Sequence, residues 1–130
     1  MIVDTSALIS MIAEEGDAVE IAERLDDARG NILFSAGNYL EAAIVLDRRG
    51  DPVRSAKLDS LLHLLEIEIA PVTEAQARIA RQAYRDFGKG SGHPAKLNFG
   101  DCFAYALATE RGEALLFKGD DFTHTGVRRA

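Results

Sequence analysis

Among the 21 acidic residues of this 130-residue chain, five stand where a carboxylate could do more than solubilise. Asp4 follows the short β-branched run Met1-Ile2-Val3. Asp101 follows a glycine-rich stretch and opens a helical pattern, and Asp120 and Asp121 come directly after the apolar run Ala114 to Phe117. Glu41 lies inside a helical pattern, flanked by Leu40, Ala42, Ala43 and Ile44; a carboxylate among so many apolar neighbours needs a partner where it is buried. Acids from separate elements gathered at one crevice repel one another when ionised. A hard divalent cation relieves that repulsion, and Mg²⁺ accepts carboxylate oxygens while retaining several waters. Such an ion can activate a water and stabilise charge on a scissile phosphate, so phosphodiester hydrolysis is the chemistry to expect. Each acid also has a plainer reading. Asp4 before Thr5-Ser6 could be a turn or cap residue, and Asp101 a helix cap that complements the dipole. Glu41 could pair with Arg48 or Arg49, and Asp120-Asp121 could be a turn. Only their convergence points to a site.

The elements that must bring them together alternate between short β-type runs and amphipathic helices. Met1 to Asp4 reads as a first strand, with Thr5 or Ser6 capping a helix to about Ala13. A helix from about Ala18 to Ala28 presents Ala18, Ile21, Ala22 and Leu25 on one face and stops at Gly30. Ile32 to Phe34 is a second strand. A helix from Ala36 to about Arg49 follows, with Leu40, Ala43 and Ile44 as its apolar positions. Asp51-Pro52 is a good helix start, Asp as N-cap and Pro at the first position, and Leu58, Leu61, Leu62 and Leu65 form the stripe. Ile67 to Ala70 is a third strand. Thr73 and Gln76 match a capping box for a helix to about Phe87. Gly88 to Gly100 reads as a long loop carrying Lys89, His93 and Lys96, placed to contact phosphates. A helix from Asp101 to about Arg111, a fourth strand Ala114 to Phe117 and a polar tail complete the chain. Strands separated by helices imply parallel pairing with right-handed crossovers. The expectation is a three-layer α/β/α sandwich around a parallel sheet of four to five strands, one domain over residues 1–130. In such sheets the functional crevice lies beyond the carboxyl ends of the strands, where Asp4 and Asp120-Asp121 fall.

Composition is compatible with this. Hydrophobic residues make up 47% and charged residues 28% of the chain, an ordinary globular balance. The single Cys102 excludes an internal disulfide and a CxxC metal site. A net charge of −6 disfavours a broad basic coat for nucleic acid, but not an enzyme that meets phosphate through a cation. The N-terminus lacks the basic region of a signal peptide, and no apolar run approaches the roughly 18 residues of a membrane span. A cytoplasmic protein without a membrane partner is expected.

In order and spacing, the segments Met1-Ile2-Val3-Asp4-Thr5-Ser6-Ala7-Leu8, Asn38-Tyr39-Leu40-Glu41, Leu97-Asn98-Phe99-Gly100-Asp101-Cys102-Phe103 and Leu115-Leu116-Phe117-Lys118-Gly119-Asp120-Asp121-Phe122 resemble the PIN-domain family. The resemblance is greatest to VapC-type ribonuclease toxins of toxin–antitoxin pairs. It implies Mg²⁺- or Mn²⁺-dependent cleavage of RNA, a homodimer, and neutralisation by a VapB-type antitoxin whose C-terminal segment delivers Arg or Lys toward the acids. It matches Asp4, Glu41 and Asp101 to the acidic triad, with Asp4 and Asp101 as direct metal ligands and Ser6 lining the site. Many members carry Asp or Asn two residues after a Thr in the last motif, where this chain has Gly119. The Gly-x-Asp-Phe pattern then makes Asp121, rather than Asp120, the fourth acid.

Other readings fare less well. A haloacid-dehalogenase-type phosphatase needs a second Asp at position six, which is Ser6. Gly88-Lys89-Gly90-Ser91-Gly92 lacks P-loop spacing. His124 reads as an incidental surface residue. A catalytically inactive PIN-like scaffold that binds RNA or a partner is the alternative, and retention of every triad acid argues against it.

Overall fold

The computed structural model describes all 130 residues. The elements run β1 (Ile2–Val3), α1 (Thr5–Ile12), α2 (Ala18–Asp27), β2 (Ile32–Ser35), α3 (Ala36–Arg48), α4 (Pro52–Leu64), β3 (Ile67–Ala70), α5 (Glu74–Phe87), α6 (Phe99–Arg111) and β4 (Leu115–Leu116). All strand pairs are parallel, in the order β3-β2-β1-β4. The chain leaves β1 toward β2 and β3 on one side, then returns through α5 and α6 to add β4 on the other. The order therefore reverses at β1, and the switch point that opens a crevice lies directly beyond Asp4.

Successive residues of a strand face opposite sides of a sheet. Val3 accordingly packs with Phe34, Ile67 and the helices α1 to α4, while Ile2 packs with Leu115, Phe117 and helix α6. Both faces are covered, which is the three-layer sandwich expected. Ala104, Ala106 and Ala108 are all buried, so α6 lies close against its neighbours.

Several local expectations need correction. Asp4, not Thr5 or Ser6, caps α1, its carboxylate accepting from the Ser6 amide at 2.9 Å. On α3 the buried face is Asn38, Ala42 and Leu46, whereas Leu40 and Ile44 are exposed. Thr73 accepts from the Gln76 amide, but the Gln76 side chain turns away to Glu110, so only half a capping box forms. Helix α6 begins at Phe99, two residues before Asp101, because Asn98 caps it. The long loop is tied at its base by Lys89 N to Leu97 O (2.8 Å) and Leu97 N to Phe87 O (2.9 Å), with Ala95 and Leu97 buried. Lys89 and Lys96 remain exposed. The tail is not merely polar. Leu115 donates to Arg128 O and accepts from Ala130 N, which lays residues 128–130 along the β4 edge.

Candidate active site

The acids reach the crevice by different routes. Asp4 leaves β1 and enters α1, and its extended backbone places the carboxylate over the first turn. Oδ2 accepts from the Ser6 amide (2.9 Å) and the Ser6 hydroxyl (2.6 Å). The Ser6 oxygen in turn accepts from the Lys118 amide at 3.0 Å, joining the exit of β4 to Asp4. Oδ1 is buried and has no hydrogen-bond partner.

Asp101 is the third residue of α6 and closes a reciprocal box. Its Oδ2 accepts from the Asn98 amide (2.9 Å), and its own amide donates to Asn98 Oδ1 (2.8 Å). The same carboxylate thus caps a helix and lies within electrostatic reach of Asp4, Glu41 and Asp121, so capping does not take it out of the cluster. Glu41 projects from α3 against the first turn of α6. A side-chain carbon built on Gly100 would sit 1.6 Å from Glu41 Oε2, so the absent side chain at residue 100 is what admits the carboxylate. Glu41 forms no ion pair with Arg48 or Arg49.

The electrostatics record the convergence. Burial pushes Asp4 up to about 6, against the opposing Ser6 hydrogen bonds, with the charge of Glu41 adding to the rise. Burial pushes Asp101 up to about 7, with the charges of Asp4, Asp121 and Glu41 adding to it. Asp121 acts on Asp101 although both Asp120 and Asp121 are exposed. Gly119 turns with φ +84° and Phe122 is buried against Phe117, so the turn after β4 is anchored as its sequence suggests. The neighbouring Cys102 thiol is pushed up to about 11 by burial and by Asp101, which removes it as a thiolate nucleophile.

No three His, Cys, Asp or Glu side chains stand close enough to grip one ion together. The donor set instead suits a hydrated ion held by one or two carboxylates, the usual Mg²⁺ arrangement. The partnerless Asp4 Oδ1 and the crowding of like charges around Asp101 are both features that a bound cation would suit. Sequence reasoning placed Asn38 and Asn98 in the motifs but gave neither a role. The Asn98-x-x-Asp101 spacing is a capping-box pattern, and Asn38 stands one turn before Glu41 on the same helical face as the apolar Ala42.

The PIN domain family profile matches residues 1–127. The chain is 58% identical to ribonuclease VapC28 of Mycobacterium tuberculosis over 130 residues, covering 100% of this chain and 97% of that protein. It is 49% identical to ribonuclease VapC42 of the same species, covering 100% and 98%. Among solved structures, VapC20 of M. tuberculosis, described as a sarcin-ricin loop cleaving toxin, superposes with a TM-score of 0.77 at 16% identity, covering 99% of this chain and 97% of that one. FitAcB of Neisseria gonorrhoeae superposes with a TM-score of 0.72 at 19% identity, covering 98% and 94%. These distant structures bear on the fold; the closer sequences bear on the kind of protein. The chain belongs to the PIN-domain family, among the VapC ribonucleases.

Proposed function

We propose that this protein is a divalent-cation-dependent endoribonuclease acting as the toxin of a toxin–antitoxin pair. The observation that carries the reading is the pair Asp4 and Asp101. Two buried carboxylates are raised toward neutrality, chiefly by burial, with the charge of Glu41 adding at Asp4 and the charges of Asp4, Asp121 and Glu41 adding at Asp101, and one of them has an oxygen without any donor. Asp4 and Asp101 would hold Mg²⁺ or Mn²⁺, with Glu41 and Asp121 adding negative charge around them. When bound, the cation supplies Lewis-acid polarisation of a phosphate and a water acidic enough to be activated. The protein's own contribution is orientation. Ser6 fixes Asp4 through Oδ2 and leaves Oδ1 free. Asn98 fixes Asp101, and Gly100 admits Glu41 to the cluster.

The partners follow the family. One solved relative in fold is a toxin–antitoxin complex from Klebsiella pneumoniae, and a VapB-type antitoxin is the partner proposed here. An antitoxin guanidinium at the crevice would satisfy the same oxygens the cation needs. Leu40, Ile44 and Phe99 are exposed apolar side chains on α3 and α6, consistent with a homodimer. No helix is long and apolar enough to cross a membrane. The test is incubation with total cellular RNA and Mg²⁺ or Mn²⁺, beside Asp4→Asn and excess EDTA. Cleavage by the wild type alone is expected. Cleavage that persists in EDTA or in Asp4→Asn sinks the proposal, and RNA binding without cleavage favours the inactive scaffold.

A further inference from the structure

Asn38 is wholly buried, yet it lies one turn before Glu41 on the face of α3 that meets α6. Its carboxamide nitrogen donates to the Gly100 carbonyl at 2.9 Å and reaches Glu41 Oε1 at 3.5 Å. Its backbone carbonyl accepts from the Thr5 hydroxyl at 3.3 Å. One residue therefore touches the residue after Asp4, the residue before Asp101, and Glu41 itself. Chemistry sets the orientation of the amide. Turned over, its carbonyl oxygen would face the Gly100 carbonyl and the Glu41 carboxylate, two acceptors with no proton to offer. In the orientation observed, Oδ1 has no partner. Asn38 Oδ1 and Asp4 Oδ1 are the buried side-chain atoms without one, and unsatisfied buried polar atoms ask for a functional explanation.

We infer that Asn38 is a positioning residue of the acidic site. Its side chain sets the spacing of Glu41 and Asp101 through its bonds to Glu41 and Gly100, while its backbone carbonyl, held by Thr5, ties the same turn to Asp4, and its free side-chain oxygen accepts from a water within the site. The inference rests on the ribonuclease reading of that site. A polar residue in the outer shell of a metal site fixes the segments that carry its carboxylates, here through Gly100 beside Asp101, and losing such a partner weakens metal affinity or activity by about 10- to 100-fold.

The experiment compares wild type, Asn38→Ala and Asn38→Ser in three measurements: thermal melting in EDTA, Mn²⁺ affinity by calorimetric titration without RNA, and kcat and KM on a model RNA. Asn38→Ala should bind Mn²⁺ about tenfold more weakly and lose kcat by about 10- to 100-fold, with KM within about twofold. Asn38→Ser keeps one donor for two acceptors and has no carbonyl, so it should fall between. A purely structural role would lower the melting temperature and leave Mn²⁺ affinity and kcat of the folded protein intact. That result in Asn38→Ala overturns the inference. Should Asn38→Ala not fold, Asn38→Ser decides: a several-fold loss of Mn²⁺ affinity supports the inference and wild-type values overturn it. Wild-type protein that neither binds Mn²⁺ nor cuts RNA overturns the ribonuclease reading, and this inference falls with it.

Discussion

Asp4→Asn should make the cation-free protein more stable while it abolishes cleavage. The Asp4 carboxyl titrates near 3.8 when unexceptional and at about 6 in the folded chain, where burial is the main cause. Asp4 is only 3% exposed, so solvent screening gives no reason for a discount. A pKa raised by that much costs the ionised folded protein about 3 kcal/mol. The sign follows from proton binding. The folded state holds the Asp4 proton more tightly than the unfolded state, so the Asp4 contribution to wild-type stability falls as pH rises from about 4 to about 6 and is level above. Asparagine resembles the protonated acid and serves equally well as an N-cap, so the variant lacks this penalty. It introduces an amide nitrogen in place of one buried oxygen, and an unpartnered amide would cost about 1 kcal/mol. The net gain is about 2 kcal/mol at pH 8, or about 7 °C in melting temperature for a chain of this length. Melting followed by circular dichroism in EDTA, from pH 4 to pH 8, reads this directly. The variant should melt above wild type at pH 8, and the gap should close near pH 4. Adding Mn²⁺ should raise wild type more than the variant. A variant that melts below wild type at pH 8, or a gap that ignores pH, would refute the reasoning.

Because Asp4 and Asp101 are held up to about 6 and 7, cation binding must displace protons. Mn²⁺ affinity by calorimetry should therefore rise from pH 5.5 to pH 8, and a flat profile would remove these carboxylates as ligands. Gly100→Ala places a carbon against Glu41 Oε2. It should lose kcat by more than about tenfold because the mobile Glu41 carboxylate is pushed out of the cluster, while the fold changes little; a melting temperature near that of wild type checks that the loss is local. Asp121→Asn should cut the cleavage rate substantially and Asp120→Asn leave it within a few-fold of wild type. The reverse ranking would mean that the turn after Gly119 presents the other acid.

The site was legible wherever local chemistry and topology agree. Asp4 at the end of an apolar run, and Asp51-Pro52 at a helix start, need only short-range rules. Parallel pairing followed from alternation of strands and helices, whereas the strand order did not. What stayed hidden depends on distant partners. Leu40 and Ile44 look like core positions by type, but the layer above the sheet takes Asn38, Ala42 and Leu46, because Asn38 finds Gly100 sixty-two residues away. Asp101 reads as the start of a helix until Asn98 takes that place and leaves the acid inside the first turn. Gln76 abandons its own helix start for Glu110 across the α5–α6 pair. Residues 128–130 pair with β4 through backbone groups, which side-chain patterns do not register.

The pairing of Ile2 with Leu115 has a consequence for how the protein comes into being. β1 is flanked by β4, so Asp4 donates its amide to Leu116 only once the chain through Leu116 has been synthesised. Contacts this distant in sequence are slow to form. Chains emerge N-terminus first at about 5–20 residues per second. Until then β1 has one open edge and Ser6 lacks the Lys118 amide that steadies it. Asp101 and Asp121 have not yet joined Asp4 either. A ribosome making this protein therefore holds the candidate site unassembled throughout the synthesis of residues 5–117, and its acids come together only after the β4 exit has emerged.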